Sequence, residues 1–323
     1  MTHIADVGDL VERARRADPR AVARLISLVE NDSPLLREVA TALAPYSGTA
    51  QVVGMTGSPG VGKSTSTSAL VAALRKDGKR VGVLAVDPSS PFSGGALLGD
   101  RVRMQDHATD DGVFIRSMAS RGHLGGLSAA VPQALRVLDA AGCDIVLVET
   151  VGVGQAEVEI ASLADTTAVL LAPGMGDGIQ AAKAGILEIA DIFVVNKADR
   201  DGADQVARDL RYMQSLGGRH SEPGAWRPPI VKTVAIRAEG LDDLLAALAK
   251  HRDWLTRSGE FGRRRHARAS AEIEAIAVGE VRARFAEVHG SAVLSRSAQR
   301  VIDGELDPYT AADDLVASLT ATA

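Results

Sequence analysis

Gly57-Ser58-Pro59-Gly60-Val61-Gly62-Lys63-Ser64 reads G-x-x-x-x-G-K-[ST], the pattern of a phosphate-binding loop. Residues 51–56 before it form a short apolar run suited to a buried strand, and from Thr65 to Arg75 behind it the apolar residues have helical spacing. Strand, loop and helix agree, which a chance match in a glycine-rich loop does not supply. The glycines let the backbone turn its N–H groups inward around phosphate oxygens, and the following helix adds its positive end. Lys63 can then reach the outer phosphates, and Ser64 can hold Mg²⁺ through its hydroxyl, with Thr65 closing the binding stretch.

Composition sets outer limits. A chain of 323 residues can bury one large α/β core and carry further helices. Its 46% apolar and 24% charged residues are ordinary for a globular protein, and a net charge of −5 gives no reason to expect nucleic acid or an anionic membrane as partner. The single cysteine, Cys143, has no partner for an internal disulfide, so a reducing, cytoplasmic setting is expected. No apolar stretch reaches the length of a membrane span.

Residues 6–45 read as two or three short helices, one starting at Ser33-Pro34, and carry no recognisable chemistry. Downstream of the loop, a strand over residues 80–87 delivers Asp87 to its C-terminal end, where ligands collect in open α/β sheets. Asp87 and Asp100 are candidates for Mg²⁺ or its water shell, and equally for capping a loop or helix. A third strand covers residues 113–118. Arg121 reads as a phosphate contact or a solvated loop arginine, and His123, without a companion at metal-ligand spacing, reads as structural. The apolar run 144–149 ends in Glu149 and opens into Thr150-Val151-Gly152-Val153-Gly154-Gln155. Glu149 and Gly152 have the D-x-x-G spacing of GTPases with glutamate for aspartate, so they are candidates for the Mg²⁺ shell and for sensing the γ-phosphate. Gln155 is a candidate for orienting the attacking water, although it sits two places further on than in Ras-type enzymes. An unchanged turnover in a Gln155→Ala variant would remove that role.

A strand over 168–172 leads into a glycine-rich loop from Pro173, and the strand at residue 192 ends in Asn196-Lys197-Ala198-Asp199, the pattern N-K-x-D. Guanine offers N1–H and a 2-amino group as paired donors, and an aspartate accepts both; adenine has no such pair. Asp199 is therefore expected to select GTP, with Lys197 packing over the base and Asn196 tying the loops together. Val234, Ala235 and Ile236, after a further strand, stand where a GTPase gives backbone contacts to the guanine edge. A leucine- and alanine-rich helix runs from Gly240 to about residue 257. Arg263-Arg264-Arg265-His266-Ala267-Arg268 then opens a long helix; the acidic total charge favours an exposed helix face over a nucleic-acid patch. Asp307-Pro308 caps a last helix.

The order of elements predicts an α/β fold, a mostly parallel-sheet P-loop GTPase core flanked by helices, with helical extensions at both ends. The expected divisions are an N-terminal helical arm over residues 1–47, a GTPase domain over 48–257 and a dimerising helical extension over 258–323.

The loop at 57–64, Val86-Asp87-Pro88-Ser89-Ser90, Leu98-Gly99-Asp100-Arg101, the segment 149–155, N-K-x-D and Asp307-Pro308-Tyr309 together resemble the methylmalonyl-CoA mutase-associated GTPases, the MeaB/ArgK family, over almost the whole chain. The resemblance implies a homodimer that binds Mg²⁺ and GTP, hydrolyses GTP slowly, and serves as chaperone to an adenosylcobalamin-dependent methylmalonyl-CoA mutase or related acyl-CoA mutase. Adenosylcobalamin enters only through that partner. The loop 173–183 then matches the family's mobile third switch, and Gly178 stands where an acidic residue is usual. Three other readings compete: a metal-insertion GTPase, against which stand seven dispersed histidines and one cysteine; a transport-system kinase; and a nucleotide-gated scaffold that does no chemistry.

Overall fold

In the computed structural model the described residues are 6–31, 33–87, 104–107, 109–119, 130–150, 156–174, 186–216, 224–288 and 292–320. The apolar runs become strands β1 (Gln51–Thr56), β2 (Val81–Asp87), β3 (Val113–Ala119), β4 (Ile145–Thr150), β5 (Thr166–Leu171), β6 (Ile192–Val195) and β7 (Ile230–Lys232). They form one sheet in the order β3-β2-β4-β1-β5-β6-β7, and every pairing is parallel. A parallel sheet needs both faces covered, and here β1 and β4 are buried at every residue.

Among the described residues the covering helices are α1 (Val7–Arg15), α2 (Pro19–Glu30), α3 (Leu36–Leu43), α4 (Lys63–Lys76), α5 (Ala130–Ala140), α6 (Ala156–Leu163), α7 (Ile186–Ile189), α8 (Ala203–Leu216) and α9 (Leu241–Ser258). Because successive strand residues face opposite sides, Val52, Leu84, Val86, Phe114, Val146 and Val148 meet α1, α2, α3, α5 and α6 on one face. Val53, Met55, Val83, Leu147, Leu170 and Val194 meet α4 and α9 on the other. The N-terminal helices are thus part of the sheet's core, not an appendage. Their caps follow the sequence: Asp6 accepts from the Gly8 N–H at 2.9 Å and Asp18 from the Arg20 N–H at 2.9 Å, with Pro19 at the first helical position. At Ser33-Pro34 the expected helix start becomes a turn. The Ser33 hydroxyl accepts from Leu35 N–H and its carbonyl from Leu36 N–H, at 3.3 and 2.8 Å, and α3 begins only at Leu36.

The chain divides into two compact units, Met1–Arg265 and His266–Ala323. The second holds most of α10 (Glu260–Val288) with α11 (Ala292–Ile302) and α12 (Pro308–Thr320), the last capped by Asp307, which accepts from the Tyr309 and Thr310 N–H groups at 2.9 and 3.1 Å. On α10 the apolar Ile273 and Ile276 are 68% and 53% exposed.

The arginine run holds a correction, because part of it is internal to the first unit. Arg264 clamps Asp191 with two hydrogen bonds of 2.8 Å and also donates to the Asp165 carbonyl at 2.9 Å. Arg265 donates to the Ala50 carbonyl at 2.8 Å and to Asp165 at 3.2 Å. Asp165 and Asp191 stand just before β5 and β6 and are buried, where a carboxylate demands a cation and N–H donors. The Val52 and Thr167 N–H groups supply the latter at 2.9 and 2.8 Å.

His251 on α9 completes this cluster. It is fully buried, lies against Trp226 and Trp254, and shares a hydrogen bond of 2.9 Å with Thr166 Oγ1. Burial pushes its pKa down from 6.5 to about 4, so the folded chain keeps the ring neutral. The unfolded chain therefore takes up this proton first, and the stability tied to His251 is present above pH 6.5 and lost as pH falls toward 4. The loss across that window is on the order of 3 kcal/mol. Urea unfolding at neutral and mildly acidic pH checks this, and a His251→Leu variant is expected to flatten the slope.

Candidate nucleotide-binding site

The C-terminal ends of β1, β4, β6 and β7 converge on one crevice. β1 runs directly into the loop at 57–62, and α4 starts at Lys63, two residues before the helical spacing of the sequence begins. Two glycines are required by geometry. Gly57 has φ +140°, and a Cβ there would lie 2.3 Å from the Leu170 carbonyl oxygen. Gly62, at φ +94°, is the residue before α4, and a Cβ there would lie 2.6 Å from Asn196 Nδ2. Pro59 and Gly60 are exposed at the tip while Val61 is buried beneath it. A Gly62→Val substitution is expected to abolish nucleotide binding through the clash with Asn196, with GDP titration as the check.

Lys63 is only 8% exposed, and its ammonium folds over the loop to donate to the Gly57 and Ser58 carbonyls at 2.7 and 3.2 Å. At the next residue, Ser64 Oγ donates to Glu149 Oε1 at 2.6 Å. Glu149 is 1% exposed, and its strand position is opposite Met55 on β1. A buried hydroxyl and carboxylate thus meet at the positive end of α4, a hard-oxygen donor set suited to Mg²⁺. β4 continues one residue past Glu149, so the acid lies inside the strand end, with Thr150 Oγ1 against Thr56 Oγ1 at 3.4 Å.

Asn196 does the tying expected of it. Its Nδ2 donates to the Val61 carbonyl at 2.9 Å, and its Oδ1 accepts from Thr233 Oγ1 at 3.2 Å and from the Ala235 N–H at 3.1 Å. One buried amide thereby joins the phosphate loop to the segment Val234-Ala235-Ile236. Lys197, with φ +56°, lays its ammonium on the Gly60 carbonyl at 2.6 Å, which stretches its stem across the crevice. Ile236 is 84% exposed, and Thr65 faces outward on the first turn of α4. Asp199 accepts from Arg237 at 3.2 Å, and Arg237 in turn grips Glu239. Arg237, Thr233 and Thr56 had no signal of their own in the sequence; only the strand-end places of Thr56 and Thr233 could have drawn attention to them.

Asp100, Gly152, Gln155, Arg121, His123 and Gly178 lie outside the described residues, and for Asp87 only the backbone at the end of β2 is described. Cys143 is buried, and burial pushes its thiol up to about 12, which makes it a packing residue and not a nucleophile.

The comparisons agree with this geometry. The family model described as "Methylmalonyl Co-A mutase-associated GTPase MeaB" matches residues 22–289. A protein named as a GTPase in Pyrococcus abyssi is 48% identical over 307 residues, covering 95% of each chain. GTPase ArgK of Escherichia coli is 38% identical over 267 residues, covering 81% of this chain and 80% of its own. A crystal structure titled as a LAO/AO transport system kinase superposes with a TM-score of 0.70 at 28% identity, covering 99% of both chains. A phosphate loop after β1 and N-K-x-D after β6, at the same end of one parallel sheet with β5 between them, together with these matches place the chain in the family of methylmalonyl-CoA mutase-associated GTPases, MeaB.

Proposed function

We propose that this GTPase is a Mg²⁺-dependent chaperone that gates adenosylcobalamin loading of a methylmalonyl-CoA mutase-type enzyme and protects that enzyme. The mutase association is the description of the family whose model spans residues 22–289. The observation that carries the nucleotide chemistry is the buried Ser64–Glu149 contact of 2.6 Å at the head of α4. Ser64 and Glu149 would hold Mg²⁺, with Asp87 and Asp100 as further ligands or partners of its water shell. Bound there, the ion would neutralise negative charge on the phosphate oxygens. The chain's own part is positioning. The N–H groups of residues 60–65 cradle phosphate, Lys63 places a desolvated cation against the outer oxygens, and Asp199 reads the guanine edge while Ala235 and Ile236 border it. Gly152 and Gln155 are assigned to the γ-phosphate and the attacking water.

The partner side of the proposal is a homodimer formed in the cytoplasm through the second unit. Exposed Ile273, Ile276, Val281 and Ile302 supply an apolar surface that helices of this kind bury against a partner. No described helix is long and apolar enough to cross a membrane.

The deciding measurement is GTP turnover by the purified protein, with ATP as control, alone and with a cobalamin-dependent acyl-CoA mutase from the same cell. The expected result is turnover selective for GTP that rises severalfold with the mutase. Selective turnover indifferent to the mutase would leave the nucleotide site standing and remove the chaperone assignment.

A further inference from the structure

The geometry points to Arg237 as a positioning residue for guanine selection, an assignment that rests on the reading of Asp199 as the guanine acceptor. Arg237 Nη1 donates to Asp199 Oδ2 at 3.2 Å, while Nε and Nη2 donate to Glu239 Oε1 and Oε2 at 2.7 and 3.3 Å. The guanidinium fork is therefore locked side-on to one carboxylate and reaches the other with its remaining edge. A carboxylate oxygen accepts more than one hydrogen bond, so Asp199 held in this way keeps acceptor capacity for the N1–H and 2-amino donors of guanine.

The loop that carries Arg237 is itself fixed. Val234 and Glu239 exchange backbone hydrogen bonds of 3.0 and 3.3 Å, Arg237 N–H donates to the Val234 carbonyl at 2.9 Å, and Asn196 holds the Ala235 N–H. Gly240 at φ +75° closes it, since a Cβ there would lie 2.1 Å from the Lys232 carbonyl oxygen. Arg237 thus starts from a rigid base on one strand end and braces the acid on the next. Charge supports the same role. The trio of Asp199, Arg237 and Glu239 carries a net −1, so Arg237 is already balanced by Glu239 and does not cancel the acceptor that guanine needs. The Arg237 hydrogen bond holds Glu239 below the usual carboxylate range, which keeps that balance at neutral pH.

The test is calorimetric titration of the full chain with GDP, IDP and ADP, comparing wild type with Arg237→Ala and Arg237→Lys. IDP lacks the 2-amino donor, so the GDP-to-IDP ratio reads the acid's alignment and not the integrity of the site. With Arg237→Ala the affinity for GDP is expected to fall roughly fivefold, IDP less, and the ratio to shrink, with Arg237→Lys recovering part of it. In turnover the loss should fall on KM for GTP. Unchanged affinities, or GDP and IDP weakened alike, would overturn the assignment. Tighter GDP binding by Arg237→Ala would also overturn it, because Arg237 would then be a competitor for Asp199. If wild type itself fails to prefer GDP over ADP, the guanine reading of Asp199 fails and this assignment with it.

Discussion

Replacing Lys63 by alanine is expected to reduce GTP turnover by on the order of 10²–10³-fold, the scale of losing one preorganised charge from a water-poor site. The residue is nearly buried, with its ammonium held by the Gly57 and Ser58 carbonyls inside the bend of the loop. A charge fixed there costs little reorganisation when negative charge gathers on the transferring phosphoryl oxygens, and the low local dielectric enlarges its effect. Arginine is not a conservative replacement, because a planar fork cannot occupy the small space over the two carbonyls that an ammonium fills. Single-turnover phosphate release measures the step directly, and thermal melting should show the variant folded, since the core around β1 and α4 is untouched. Turnover close to wild type would take Lys63 out of the chemistry. Turnover abolished while control of a partner mutase persists would favour a nucleotide-gated scaffold over a hydrolytic switch.

The crevice was legible in the sequence because its parts are local. A phosphate loop needs two glycines, a lysine and a hydroxyl within eight consecutive residues, and N-K-x-D spans four, so each motif carries its own geometry. The short apolar runs at residues 51–56 and 144–149 likewise announced strands buried on both faces, and the parallel sheet follows. What could not be read was contact across distance. Nothing near Arg237 in sequence points to Asp199, 38 residues earlier. The arginine run failed for the same reason: read alone it is a solvated face, and only the fold brings it to the two acids that precede β5 and β6.

Those acids give the largest expected effect on stability. An Asp191→Ala substitution is expected to cost about 3–5 kcal/mol, the range for removing one partner of a buried ion pair. Asp191 is 8% exposed at its side chain and takes both terminal nitrogens of Arg264. It also accepts from the Thr167 N–H at 2.8 Å, and His251 Nε2 lies 3.4 Å away. Alanine would leave the guanidinium with the Asp165 carbonyl at 2.9 Å and the more distant Glu260 at 3.7 Å, and the buried Thr167 N–H without its acceptor. For a unit of this size the loss corresponds to a fall in melting temperature of roughly 10 °C. Asp191→Asn keeps the shape and one acceptor and should lose less. The decisive comparison is the pair Asp191→Leu with Arg264→Met, which removes both charges together. If the penalty is the stranded cation, the double variant recovers much of the single variant's loss; if it is the packing of the carboxylate itself, the two losses add. GDP affinity measured well below the transition is expected to stay near wild type in either case, because this cluster sits at the N-terminal ends of the strands and the nucleotide crevice at their C-terminal ends.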